Sequence, residues 1–352
     1  MTYFYAQLFA MDTEIRAMFP AAMDLQRRRF FSALTRIVAG QDDRERLIPY
    51  LQELGRAHRK FGVCERHYEI FRRALLATLH RFAAARWDED TQLAWETAYD
   101  HAASVMTDAA KDDAEQAPAW WIATVTRVEM RGPDMAVLTL QPEQPLPYRP
   151  GQYISVQTPH WPRLWRTYSI ANAPRPDGLL RLHVRAVSGG LVSPILVHQV
   201  QAGDPLILGA PGGTMTPEAG SSRDVLCLAG GTGLAPVKAI IEAIISAPAR
   251  HRNREIVLYY GARRQQDLYD LHDLRAMEAA YRWLQVVPAV SDEPAHDLMY
   301  GTVPDLAGSA AWADRDIYIS GPDHMIIKTA RVLRERGAPD RLIHYDLAPE
   351  AT

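Results

Sequence analysis

Two short stretches of this sequence carry residue types able to hold a phosphorylated cofactor. Gly231-Thr232-Gly233-Leu234-Ala235-Pro236 follows the apolar run Val225-Leu226-Cys227-Leu228 and precedes a helical pattern beginning near Val237. A glycine turn at a strand-to-helix junction lets backbone N–H groups approach a diphosphate at the positive end of the helix. Pro236 stands where the usual dinucleotide pattern has its last glycine; proline is tolerated in a first helical turn, where its missing N–H loses no helix bond. A turn that binds nothing has the same pattern, so the motif alone is a weak signal. Arg166-Thr167-Tyr168-Ser169, after Tyr148-Arg149-Pro150-Gly151-Gln152-Tyr153, is sharper. An arginine can neutralise a diphosphate, a tyrosine can stack on or bond to a flavin, and a serine can bond the ring edge. Taken singly, such residues more often decorate a solvated strand.

A third set lies near the start. His58 sits one helical turn beyond Leu54, on the apolar face that also carries Leu51. A lone histidine there is more often a satisfied core residue than a ligand, and Tyr5 and Gln26 by themselves read as boundary residues.

The elements that must position these groups change texture along the chain. Residues 1–112 read as helix throughout, with Phe30, Phe31, Leu34, Ile37 and Val38 on one face, then Ile70, Phe71, Leu75 and Leu79 on another. Pro20, Gly40 and Gly62 break the helices, and the polar stretch Asp112–Pro118 reads as a linker. From Trp120 the period falls to two: Ile122, Thr124, Thr126 and Val128 alternate, as do Leu180, Leu182, Val184 and Ala186, predicting an antiparallel barrel over 120–217. Over 218–352, short buried strands at Val225–Leu228, Ile256–Tyr259 and Ile317–Ile319 alternate with helices and predict a parallel α/β sheet.

Composition removes several classes. A length of 352 residues fits two or three domains at roughly 150 residues each. Apolar residues are 47% and charged residues 23%, an ordinary globular balance, and the net charge of −3 argues against a nucleic-acid binder. No apolar run reaches the roughly 20 residues of a membrane span, and Met1–Tyr5 lacks the basic flank of a signal peptide. Cys64 and Cys227 cannot supply an iron–sulfur cluster, an all-cysteine zinc site or a disulfide framework, which predicts the reducing cytoplasm.

Residues 120–345 resemble the ferredoxin–NADP reductase-like flavoproteins. The matching stretches are Pro150–Tyr153, Arg166–Ser169, Gly189-Gly190-Leu191-Val192-Ser193, Gly231–Pro236 and Ser320-Gly321-Pro322, in that order. The resemblance implies an FAD-binding barrel and a nicotinamide-dinucleotide domain. Tyr153, Arg166, Thr167, Tyr168 and Ser169 would hold FAD, and Gly231, Thr232, Gly233, Leu234, Ala235 and Pro236 would face the pyrophosphate of NADH or NADPH. Ser320 stands where many relatives have cysteine, and Asp346-Leu347-Ala348 lacks the C-terminal aromatic that often covers the flavin. Arg263-Arg264 could meet a 2′-phosphate or be a solvated loop.

Residues 1–112 resemble the globin domain of the flavohaemoglobins, through Phe4–Phe9, Phe19-Pro20, Gln26, His58–Val63, Tyr68, Trp95 and Tyr99. By that resemblance His58 is the iron ligand of a haem b, Tyr5 and Gln26 are the distal groups, Phe19 packs on the haem, and Tyr68 bonds His58 from behind. Phe30 would narrow access to the pocket. The family's proximal carboxylate falls near Ala110, with Asp108 and Asp112 close by, and the chain starts almost at the distal tyrosine, so the first globin helix is missing. The implied activity is electron transfer from NAD(P)H through FAD to haem, with dioxygen and nitric oxide converted to nitrate by a cytoplasmic monomer. Rival readings are an NAD(P)H oxidase or haem-ferric reductase, a haem-based gas sensor with a reductase that keeps it ferrous, and, last, the reductase component of a multicomponent oxygenase.

Overall fold

The computed structural model describes residues 1–247, 254–294 and 296–347. The chain divides into two compact units, Met1–Trp120 and Trp121 onward.

The first unit is all helix: α1 (Thr2–Met11), α2 (Asp24–Ala39), α3 (Arg44–His58), α4 (Glu65–Ala83) and α5 (Glu89–Gln116). Their starts follow local chemistry. The Asp43 carboxylate accepts from Arg46 N, and Asp88 accepts from Thr91 N at 2.8 Å with Glu89 and Asp90 in the first turn of α5. Gly62, at φ 74, turns the chain between α3 and α4. Phe4, Tyr5, Leu8, Ile15, Met23, Ala74 and Leu75 form the main core, and Leu47, Leu51, Ala102 and Met106 a second one.

Two expectations need correction here. Phe30, Leu34 and Ile37 pack inward, but Phe31 is 60% and Val38 48% exposed. The arc drawn through all five positions is wider than the strip of α2 that the core covers. The polar stretch after Asp112 is also helix as far as Gln116. Its Asp, Glu, Lys and Ala residues mark an exposed helix end rather than a break, since most of them are good helix formers.

The second unit opens with β1 (Trp121–Gly132), β2 (Met135–Pro142), β3 (Tyr153–Gln157), β4 (Arg166–Ser169), β5 (Leu180–Arg185), α6 (Ser193–His198) and β6 (Pro205–Leu208). These strands make an antiparallel six-stranded sheet in the order β4-β3-β6-β1-β2-β5, and an Ile170–Leu182 bridge brings the last strand back to the first. In β1 the alternation is real but its phase is the reverse of that expected. Trp121, Ala123 and Val125 are buried, whereas Ile122 is 42% exposed. Threonines at 124 and 126 obscured which face was apolar, and a bulge between Val125 and Arg127 ends the simple repeat.

The α/β half follows: β7 (Asp224–Gly230), α7 (Leu234–Ser246), β8 (Ile256–Ala262), α8 (Leu271–Ala280), β9 (Leu284–Val290), β10 (Met299–Tyr300), α9 (Val303–Ala307), β11 (Arg315–Ser320), α10 (Asp323–Glu335) and β12 (Ile343–His344). The sheet is parallel in the order β10-β9-β8-β7-β11-β12. Val225 to Ala229 are fully buried, which accounts for an unbroken apolar run where an alternating one would mark a half-exposed strand. After β7 the chain winds to one side as far as β10 and then returns to β11 on the other. The carboxyl ends of β7 and β11 therefore flank a switch point, where open α/β sheets bind ligands. The fold class is the expected one, with helical, antiparallel and parallel parts in order.

Candidate functional site

In the helical unit, α1 presents Tyr5 inside an aromatic cluster. Its ring packs against Phe4, Phe9, Phe19 and Phe30 at centroid distances of 5.0 to 6.1 Å. The Tyr5 hydroxyl donates to the Gln26 backbone carbonyl at 3.5 Å, which joins α1 to the first turns of α2. Burial pushes this phenol up to about 12, so it stays protonated.

His58 ends α3. Its Nδ1 is sealed from solvent and has no hydrogen-bond partner among the described residues. Burial, with the Lys60 ammonium nearby, pushes the imidazole down to about 4, so it is neutral near pH 7. Lys60 is itself pushed down to about 8 by burial and by Arg29, which lies on α2 one turn after Gln26. That charge pair brings the segment after His58 to the same side of α2 as Gln26.

The expected bond from Tyr68 to His58 Nδ1 is not made. The two rings are 6.4 Å apart and tilted by 56°. Tyr68 packs instead against the Leu47, Leu51, Ala102 and Met106 core, and its carbonyl accepts from the Tyr99 hydroxyl at 2.7 Å. Nor do the carboxylates near Ala110 reach the histidine: Asp108 accepts from Ser104 Oγ at 3.2 Å, and Asp112 is exposed. The acid that approaches this region is Asp113, paired with Arg59, which directly follows His58. Sequence reading missed both. The only signal was helical register along α5, and that register is invisible where the stretch is taken for a linker.

In the second unit, β3 and β4 pair so that Tyr153 lies opposite Ser169, and Ser155 opposite Thr167. Alternation then puts Thr167 and Ser169 on one face of β4, and Arg166 and Tyr168 on the other. All four are partly exposed at this edge of the sheet, so the motif can grip a ligand from both faces. The Tyr153 ring lies against Gly212 and Gly213, where a Cβ would fall 3.0 Å or less from it. One turn further, Thr214 N, Thr214 Oγ1 and Met215 N all donate to the Asp346 carboxylate at 2.8–3.0 Å. Asp346 thus ties the C-terminal segment to the turn beside Tyr153, a role the sequence did not suggest. Ala348 lies outside the described residues.

Gly231–Gly233 form a single tight turn after β7, with Gly231 at φ 55, and α7 starts at Leu234, earlier than the expected Val237. Gly231, Thr232 and Gly233 are partly exposed, whereas the Leu234, Ala235 and Pro236 side chains are buried and pack the first turn of α7. A ligand can therefore meet the glycine turn and backbone N–H groups, not those three side chains. Arg263 and Arg264 follow β8 at the same carboxyl edge of the sheet.

The globin family matches residues 2–106, the oxidoreductase FAD-binding domain 123–216, and the oxidoreductase NAD-binding domain 227–331. A ferredoxin–NAD(P)+ reductase of Metapseudomonas resinovorans is 31% identical over 230 residues, covering 64% of this chain and 68% of that protein. The chain spans about half the length of the xylene/toluene monooxygenase electron transfer component of Pseudomonas putida, to which it is 33% identical over 172 residues. A flavohemoprotein of Bacillus subtilis is 25% identical over 98% of this chain and 90% of its own length. Among solved structures, the flavohemoglobin of Malassezia yamatoensis shares the fold with a TM-score of 0.82 at 17% identity, covering 98% of this chain and 93% of that one. With FAD- and NAD-binding modules the chain is an oxidoreductase, and no helix among the described residues is long and apolar enough to cross a membrane. A globin domain followed by the two modules of the ferredoxin–NAD(P)+ reductases is the flavohaemoprotein arrangement, and the chain belongs to that family.

Proposed function

We propose that this protein is a cytoplasmic, monomeric nitric oxide dioxygenase that draws electrons from NADH or NADPH and turns nitric oxide and dioxygen into nitrate. The observation that carries this reading is the buried Tyr5 phenol, held protonated in an aromatic cluster and linked to α2 at Gln26. The helical unit also suits a haem b. His58 is a neutral imidazole with a sealed, unpartnered Nδ1, which is the form that ligates iron. When bound, haem supplies an iron that accepts single electrons and a diatomic gas, and FAD exchanges the electron pair of NAD(P)H for single electrons.

The chain's own residues do the rest. His58 holds the iron, and Phe19 and Phe30 keep the pocket apolar. Tyr5 donates a hydrogen bond toward the gas, where negative charge develops, and Gln26 adds a donor without burying a charge. At β4, Arg166 neutralises the FAD diphosphate while Tyr153, Thr167, Tyr168 and Ser169 hold its ring and ribityl chain. The Gly231–Gly233 turn and the start of α7 receive the NAD(P)H diphosphate.

A nitric oxide electrode with nitrate analysis tests this in the presence of NAD(P)H and dioxygen. The expected result is one nitrate per nitric oxide consumed. Superoxide or peroxide without nitrate favours an NAD(P)H oxidase, a reading supported by the unpartnered His58 Nδ1, which has no acceptor to enrich the imidazole. Gas binding with negligible NAD(P)H turnover favours a sensor.

A further inference from the structure

We propose that Arg59 and Asp113 are positioning residues for the His58 imidazole. The proposal rests on the reading that His58 binds haem iron. An iron-ligating histidine is usually oriented by a hydrogen bond from its second nitrogen. His58 Nδ1 makes none, so the ring's direction depends on how firmly its backbone is held.

That backbone is gripped on either side along the seam between α3 and α5. One turn before His58, Gly55 approaches α5 so closely that a methyl group there would overlap the Met106 backbone. One residue after it, the Arg59 guanidinium pairs through Nη1 with the Asp113 carboxylate and donates through Nη2 to the Ala117 carbonyl at 2.7 Å. Both side chains are largely enclosed, at 12% and 24% exposure. Only a planar fork can make both contacts at once. Beyond Arg59 the chain makes a short turn to Gly62 and reverses, so no long helix continues to hold His58 from that side. Arg59 replaces it.

The test compares wild-type holoprotein with Asp113→Asn, Arg59→Lys and, as a control on the same helix, Asp108→Asn. The readouts are the Fe–His stretching band of the ferrous protein and the rate of haem transfer to excess apomyoglobin. In Asp113→Asn the band is expected to shift and broaden and haem to leave about tenfold faster. Arg59→Lys, which keeps the ion pair but cannot also reach Ala117, should fall between. Asp108→Asn should match wild type, and all four should keep FAD and be reduced equally by NAD(P)H. Folded variants with a wild-type band and wild-type haem loss would overturn the proposal. A wild-type chain that takes up no haem would instead overturn the functional reading beneath it.

Discussion

Gly233 backs directly onto Ser320: a Cβ at position 233 would overlap the Ser320 carbonyl and lie 2.5 Å from Gly321 N. The contact joins the loops that follow β7 and β11, the two strands flanking the switch point of the parallel sheet. It explains why the motif needs glycine at this place regardless of any ligand. Gly233→Ala is expected to push the two loops apart and lower kcat/KM for NAD(P)H by up to about 100-fold, the scale for a displacement near 1 Å. FAD content should stay normal. Steady-state kinetics alongside flavin absorbance checks this, and an unchanged kcat/KM would contradict it.

Asp346 accepts hydrogen bonds from Thr214 and Met215, next to the glycines that lie on Tyr153. Asp346→Ala removes the acceptor for donors in that turn, and leaving such groups unsatisfied costs about 1–3 kcal/mol. We expect a lower unfolding midpoint and easier release of FAD, followed by flavin fluorescence on heating.

Lys238 on α7 and Asp270 before α8 form a buried ion pair at 2.5 Å, with 8% and 1% side-chain exposure. Removing one partner of such a pair costs about 3–5 kcal/mol, because the other charge stays buried, whereas replacing both with apolar groups is often neutral. Lys238→Met should therefore unfold at much lower denaturant than wild type, and Lys238→Met with Asp270→Leu should recover most of the loss.

Much of this was legible beforehand, for reasons that differ by element. Strands β5, β7, β8 and β11 announce themselves because burial on one or both faces leaves a plain apolar pattern. The phase of β1 was not legible, because alternation fixes a period and not a face, and its threonines are neutral between them. Tyr5, Gln26 and His58 could be named from their order along the chain. Arg59, Asp113 and Asp346 could not. Their meaning lies in partners distant in sequence, and nothing in an isolated arginine or aspartate says which helix or turn it will meet.

His183 on β5 is buried, its Nδ1 2.8 Å from the Tyr269 hydroxyl, and burial holds it well below its usual range. The folded protein keeps this histidine neutral while the unfolded chain protonates it near pH 6.5, so the unfolded state binds the extra proton. Stability should therefore fall as pH drops below about 6.5, by up to about 1.4 kcal/mol per pH unit from this group. Urea unfolding at pH 7.5 and 5.5 should show a smaller drop for His183→Gln than for wild type.

The most direct measurement replaces His58 with alanine and follows both cofactors and product in one sample supplied with NAD(P)H, dioxygen and nitric oxide. The account expects the Soret band and nitrate formation to be lost while FAD remains bound and is still reduced by NAD(P)H. Nitrate output equal to wild type, with or without a Soret band, would contradict it.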